Sequence, residues 1–71
     1  MKLVINGEAR DFNPPVTLAG LVAQLDMKAD RVAVELNRSI VPREQWQATN
    51  LAEGDRLEIV HFVGGGTAPP V

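Results

Sequence analysis

Residues 56–66 read Arg-Leu-Glu-Ile-Val-His-Phe-Val-Gly-Gly-Gly, an alternating apolar strand that runs directly into three glycines. Three consecutive glycines cannot pack a core, and glycine loses more backbone entropy on ordering than any other residue. We therefore predict that residues 56–63 form a strand and that residues 64–71 form a flexible arm. Because an arm without side chains can enter a narrow channel in another protein, its glycine carboxylate is the expected place for chemistry.

Alternation along this strand assigns its side chains to two faces. Leu57 and Ile59 share one parity and should contact a helix. Val60 and Phe62 share the opposite parity, and we expect them to lie beside Val4 of the neighbouring strand. Together these three side chains predict an exposed apolar docking patch at the root of the arm. The alternative is that a twist or a bulge reverses the parity and makes Phe62 part of the core.

The first third of the chain predicts a hairpin followed by a helix. Residues 2–6 and 8–12 are the expected strands, and Asn6-Gly7 is the strongest short hairpin signal because both central residues of a type I′ turn need positive φ. After two prolines, Thr17 is the expected N-cap of a helix. The apolar stripe of that helix has the spacing i, i+3, i+4 and i+7 and consists of Leu18, Leu21, Val22 and Leu25.

The remaining pattern completes a small mixed fold. The predicted elements are a strand at 31–37, a turn at 37–39, a short strand at 40–41 ended by Pro42, a helical turn at 43–46 that includes Trp46, a loop at 50–55 and the last strand. This order predicts an α+β, β-grasp (ubiquitin-like) fold, a mixed four- to five-stranded sheet packed on one main helix. The first and last strands should be parallel neighbours, joined with right-handed crossover. Residues 1–63 are the expected domain.

Composition excludes several classes of function. The chain has 71 residues, no cysteine and a net charge of −2. Disulfides, thiolate catalysis and zinc–thiolate sites are therefore excluded, and the basic surface typical of nucleic-acid binding is absent. No apolar run reaches the ~20 residues of a membrane span, and the N-terminus becomes polar too soon for a signal peptide. We expect a cytoplasmic protein that binds neither nucleic acid nor membrane.

The chain also shows no internal active site. A phosphate loop at the glycines would need a helix directly after it, and residues 67–71 are too short and rich in proline to form one. His61 is the single histidine and has no cysteine or carboxylate pattern around it, so it is expected to be a surface residue of the strand. Ser39 lies in a turn without an evident base. We therefore expect no catalytic residue, no metal site and no bound cofactor.

The sequence resembles the ubiquitin-like ThiS/MoaD group of sulfur carriers, and within it the ThiS family of thiamine biosynthesis. The resemblance covers residues 2–66. It rests on Asn6-Gly7, Ile-Val-Pro-Arg-Glu-Gln-Trp at 40–46, Gly54-Asp55 and the segment 58–66. The Val-Pro-Arg-Glu-Gln-Trp segment and the short length are typical of ThiS, whereas the glycine ending is shared with MoaD and with ubiquitin-type modifiers.

The resemblance implies a carrier rather than an enzyme. A ThiF-type adenylyltransferase would use ATP and Mg²⁺ to adenylate the carboxylate of Gly66, with Gly64 and Gly65 threading its channel. A cysteine desulfurase or a rhodanese relay would then supply the sulfur of a thiocarboxylate. A ThiG-type thiazole synthase would use that sulfur to build the thiazole ring of thiamine. Fully extended, three glycines reach roughly 10 Å from the strand.

The five residues after Gly66 depart from the family pattern. Family members usually end at the glycine, so residues 67–71 should be removed by a protease that cuts after Gly66. The alternatives are an inactive or repurposed paralogue and adenylation at Val71, although two prolines fit a glycine channel badly. The competing functions are a MoaD-like carrier for molybdopterin or another pathway, and a ubiquitin-like modifier or binding domain that is joined to lysine.

Overall fold

The computed structural model of the chain describes residues 1–14 and 16–62. Within this part the chain forms five strands and one α-helix, whose bounds are β1 Lys2–Ile5, β2 Glu8–Asp11, α1 Leu18–Gln24, β3 Val32–Leu36, β4 Ser39–Ile40 and β5 Arg56–His61. Two short 3₁₀ helices occupy Ala29–Arg31 and Arg43–Ala48. The predicted arm at 64–71 and Val63 lie outside the described residues.

One mixed sheet holds all five strands in the order β2-β1-β5-β3-β4. The pairing of β1 with β5 is parallel, and the other three pairings are antiparallel. The first and last strands are therefore adjacent, as predicted, and β5 is the central strand. The predicted β-grasp arrangement, a mixed sheet packed on one main helix, is confirmed.

The helix begins at the predicted cap. Thr17 has an extended backbone, and its hydroxyl oxygen accepts a hydrogen bond of 3.0 Å from the backbone N–H of Gly20. This bond satisfies one of the free donors at the helix N-terminus. Leu18, Leu21 and Val22 are buried against the sheet, and Leu25 packs at the edge of the same core. A helix of two turns is marginal alone, so this packing stabilises it.

Trp46 closes one end of the core. Its side chain is only 3% exposed, and its indole Nε1 donates a hydrogen bond of 2.8 Å to the carbonyl oxygen of Val41. The predicted helical turn is longer than expected, because the 3₁₀ helix continues to Ala48. Pro42 precedes this helix, where a fixed φ and a missing N–H cost nothing.

The two hairpins share one turn geometry but differ in sequence. Asn6 and Gly7 have φ of 50° and 87°, and Asn37 and Arg38 have φ of 49° and 74°. Both pairs have the left-handed backbone of a type I′ turn, which glycine adopts without strain at its second central position. Arg38 occupies that position in the second hairpin. An L-residue there costs roughly 1–2 kcal/mol relative to a right-handed conformation.

Replacing Arg38 with glycine should therefore raise the free energy of unfolding by about 0.5–1 kcal/mol, after allowance for the extra entropy that glycine adds to the unfolded chain. The measurement is equilibrium denaturation in urea. Arg38→Ala is the control, because alanine keeps the strained backbone and should leave stability almost unchanged. Equal stabilisation by alanine and glycine would show that the arginine side chain, rather than its backbone, is unfavourable.

Candidate functional site

Strand β5 presents its two apolar pairs to opposite faces of the sheet. Leu57 and Ile59 are buried beneath the helix, whereas Val60 is 59% exposed and Phe62 is 43% exposed. The strand ends at His61, but Phe62 continues its pairing because its N–H donates to the carbonyl oxygen of Arg31 at 2.8 Å. No change of parity occurs before Phe62, and both large side chains lie on the helix-free face.

Register places one further small side chain in this area. Val60 lies directly opposite Ala33 of β3, which is half-buried on the same face. We refer to Ala33, Val60 and Phe62 as the arm-root patch, since they surround the end of the strand that leads to the glycines. Parity alone puts Ala33 on the outer face of its strand. Its position opposite Val60 depends on the register between two strands that are distant in sequence.

Val4 does not lie beside Val60, which corrects the sequence-based expectation. Val4 is half-buried on the helix-free face, but its register partner in β5 is Arg56. Four residues separate Arg56 from Val60, which corresponds to about 13 Å along a strand. The reason is that the pairing of β1 with β5 ends at Ile5 and Leu57, so β5 extends beyond the end of its neighbour.

A third exposed apolar side chain was missed by the sequence analysis. Ile40 of β4 is 73% exposed. It is the register partner of Glu35, which is in turn the register partner of Glu58. Ile40, Glu35 and Glu58 thus form one row across the helix-free face, with Glu58 in the central strand. Ile40 therefore lies two strands and two residues away from Val60. Strand β4 has only two residues, and an alternation this short could not predict that Ile40 is exposed.

The side chain of Asn6 extends the pairing of β5. Its backbone N–H donates to the carbonyl oxygen of Leu57 at 2.9 Å. Its side-chain oxygen Oδ1 accepts from the N–H of Ile59 at 2.7 Å, and its Nδ2 donates to the carbonyl oxygen of Ile59 at 3.1 Å. Within the described residues, strand β5 is thus held from both sides as far as Ile59, and from there to His61 it pairs with β3.

Away from the arm-root patch, the described surface carries open clefts and exposed polar residues. An open cleft of about 480 Å³ lies at the opposite end of β5 and is lined by Val4, Gly7, Glu35, Asn37, Arg38, Arg56, Leu57 and Glu58. Ser39 and His61 are exposed strand residues. Residues 1–14 and 16–62 contain no group of three or more His, Cys, Asp or Glu side chains that could hold a metal ion. No helix in this part of the chain is long and apolar enough to cross a membrane.

The predicted sulfur-carrying position Gly66 and the predicted threading positions Gly64 and Gly65 lie outside the described residues. What the structure gives is the surface from which they follow. That surface consists of a central strand, an exposed aliphatic and aromatic pair at its end, and an asparagine that holds it from the side.

Comparison with known proteins gives matches over nearly the whole chain. The model of the ThiS family matches residues 3–66. A thiazole synthase from Paramagnetospirillum magneticum is 46% identical over 67 residues, which are 94% of this chain and 21% of that protein. The sulfur carrier protein ThiS of Escherichia coli is 32% identical over 66 residues, which are 93% of this chain and 100% of that protein. The chain spans about a fifth of the thiazole synthases that it matches, 21% and 22% in two cases.

A solved structure has the same fold. The crystal structure of the thiamine biosynthesis protein ThiS from Geobacter metallireducens superposes with a TM-score of 0.80 and 33% identity, and the match covers 93% of this chain and 100% of that one. The family model, the full-length match to the Escherichia coli carrier and this structural likeness agree. The chain belongs to the ThiS family.

Proposed function

We propose that the chain is a sulfur carrier that delivers sulfur for thiazole formation in thiamine biosynthesis. The observation that carries this proposal is the exposed pair Val60 and Phe62 directly before the glycines, in a chain that belongs to the ThiS family. An exposed apolar pair beside an arm without side chains suits a protein whose partner binds its surface and takes the arm into a channel. The proposed units are a folded domain at 1–63 and an arm at 64–71.

The proposed chemistry takes place at the carboxylate of Gly66. This carboxylate attacks the α-phosphorus of ATP, pyrophosphate leaves, and an acyl-adenylate is formed. The outer sulfur of a persulfide on the sulfur donor then attacks the acyl carbon, AMP leaves, and an acyl disulfide joins carrier and donor. A thiol reductant attacks the donor's inner sulfur, the S–S bond to the carrier breaks, a mixed disulfide forms on the donor, and a thiocarboxylate remains. Adenylation is needed because a free carboxylate has no good leaving group. The carrier supplies no catalytic group, only a positioned carboxyl carbon.

The proposed partners follow from this sequence of steps. A ThiF-type adenylyltransferase would hold ATP and Mg²⁺, and a cysteine desulfurase or a rhodanese relay would supply sulfur. A ThiG-type thiazole synthase would accept it, which is supported by two relatives that are themselves named thiazole synthase. We expect these ATP-dependent steps to take place in the cytoplasm. A protease would free the carboxylate of Gly66 from residues 67–71.

Docking is proposed to centre on Val60 and Phe62, with Val4 at the margin. The ~13 Å between Val4 and Val60 along the sheet is within the extent of an ordinary interface, which buries about 800 Å² on each partner. Gly64 and Gly65 would occupy the channel between this interface and the reacting carboxylate.

The test compares the full chain with the same chain ending at Gly66. Each is incubated with a ThiF-type adenylyltransferase, ATP, Mg²⁺ and a sulfur donor, and its intact mass is measured. The chain ending at Gly66 should gain the mass difference between sulfur and oxygen, and the full chain should not. No gain in either chain would contradict the proposal, and conjugates that survive a thiol reductant would favour a protein modifier instead.

A further inference from the structure

We propose that Asn6 is a positioning residue that sets the direction in which the arm leaves the sheet, an inference that rests on the proposed function. Asn6 lies 53 residues before Ile59, yet its side chain makes two hydrogen bonds to the backbone of that residue. Its turn needs only a residue that tolerates positive φ, and glycine does this at least as well. The turn therefore accounts for an asparagine at this position, but not for the two hydrogen bonds that its side chain makes to Ile59.

The amide of Asn6 takes the place of a peptide group in the parallel ladder. Along β5, residues 57 and 59 direct their backbone groups toward β1. The carbonyl oxygen of Leu57 accepts a hydrogen bond of 2.9 Å from the backbone N–H of Asn6. The N–H and the carbonyl group of Ile59 both bond the side chain of Asn6. That side chain supplies one acceptor and one donor, as a backbone peptide group would. The side chain thus adds a rung after the backbone of β1 has turned away.

This extra rung is the last contact on that side before the arm-root patch. Beyond Ile59, pairing continues only with β3, through Val60, His61 and the N–H of Phe62. If the rung were lost, β5 could rotate about its remaining edge contact. That rotation would displace the end of β5, from which the glycines continue. Displacement on the order of 1 Å from the attack geometry can reduce a rate about 100-fold.

The second hairpin supplies a matched control. Asn37 also occupies the first central position of a type I′ turn, with φ of 49° against 50° for Asn6. Its side-chain oxygen accepts a hydrogen bond of 3.0 Å from the backbone N–H of Arg56, again in β5. The two asparagines differ chiefly in where they hold the strand. Asn37 holds its beginning, and Asn6 holds the part that leads to the arm.

The experiment compares Asn6→Gly and Asn37→Gly in the chain ending at Gly66, which retains the core and all five strands. Steady-state adenylation by a ThiF-type enzyme gives kcat and KM for each carrier. Asn6→Gly should lower kcat roughly tenfold and change KM by less than about twofold, since all side chains of the arm-root patch are retained. Asn37→Gly should keep both values within about twofold of the unsubstituted carrier. Asn6→Asp, which keeps the acceptor for Ile59, should show an intermediate kcat.

Amide hydrogen exchange on the full chain gives an independent readout. Asn6→Gly should accelerate exchange at Ile59 while leaving Val60 protected, because the N–H of Val60 is directed to β3. An unchanged kcat in Asn6→Gly with accelerated exchange at Ile59 would overturn the proposal, and so would an equal loss of kcat in Asn37→Gly. If the unsubstituted carrier is not adenylated at all, the proposed function fails first, and the exchange result still decides whether Asn6 holds Ile59.

Discussion

Replacing Val60 with aspartate is expected to raise the KM of the adenylyltransferase for the carrier roughly 30-fold or more, the effect of losing an interface contact worth about 2 kcal/mol. Val60 is 59% exposed and lies in the middle of the arm-root patch. A carboxylate at this position would be desolvated on docking without a partner, which opposes complex formation. Because the side chain contributes little to the core, the free energy of unfolding should change by less than about 0.5 kcal/mol.

Ile40→Asp is the matched control for this experiment. Ile40 is also an exposed aliphatic side chain on the helix-free face, but it belongs to the edge strand β4, two strands and two residues away from Val60, and its register partner is Glu35. Its substitution should change KM less than about threefold. An equal loss from both substitutions would contradict a docking site centred at the root of the arm. Measurement of KM by pyrophosphate release on chains ending at Gly66 distinguishes these results.

Replacing Trp46 with alanine should remove about 3–5 kcal/mol of stability. The free energy of unfolding of a domain of 71 residues is expected to be roughly 4–10 kcal/mol, so this substitution takes away a large share of it or all of it. The indole is 3% exposed, and its loss leaves both a cavity and an unpaired carbonyl group at Val41. Circular dichroism during urea titration measures the effect.

Trp46→Phe separates the two contributions. Phenylalanine retains most of the apolar packing but cannot donate to the carbonyl oxygen of Val41, so it should cost about 1–3 kcal/mol. A loss as large as that of alanine would mean that the hydrogen bond dominates. A negligible loss for both variants would contradict the view that Trp46 closes the core.

Local chemistry was sufficient to predict most of the fold. Asn6-Gly7 requires a particular turn, Thr17 supplies a cap, and four apolar positions at helical spacing define one buried stripe. Each of these depends on residues within a few positions of one another. The outward orientation of Val60 and Phe62 was also predictable, because alternation within one strand needs no knowledge of its neighbours.

The errors share one physical origin. The placement of Val4 beside Val60 was wrong, because register between β1 and β5 is set by packing of residues about 50 positions apart in sequence. For the same reason, the sequence analysis did not predict that Ala33 belongs to the arm-root patch. Asn6 shows a subtler form of the problem. The turn propensity of Asn6 accounted for its presence in the sequence. Nothing therefore indicated that its side chain also bonds to β5, 53 positions later in the sequence.

The central position of β5 also constrains how the molecule is made. The strand synthesised last among the five is the one that joins the β1–β2 hairpin to β3 and β4. Until the ribosome has released residues 56–61, the two halves of the sheet have no common neighbour, and the helix lacks half of its support. Folding must then close contacts over nearly the full length of the chain, which slows it relative to a helical bundle of equal size. The surface formed by Val60 and Phe62 is therefore complete only after the last strand has been synthesised and has inserted between β1 and β3.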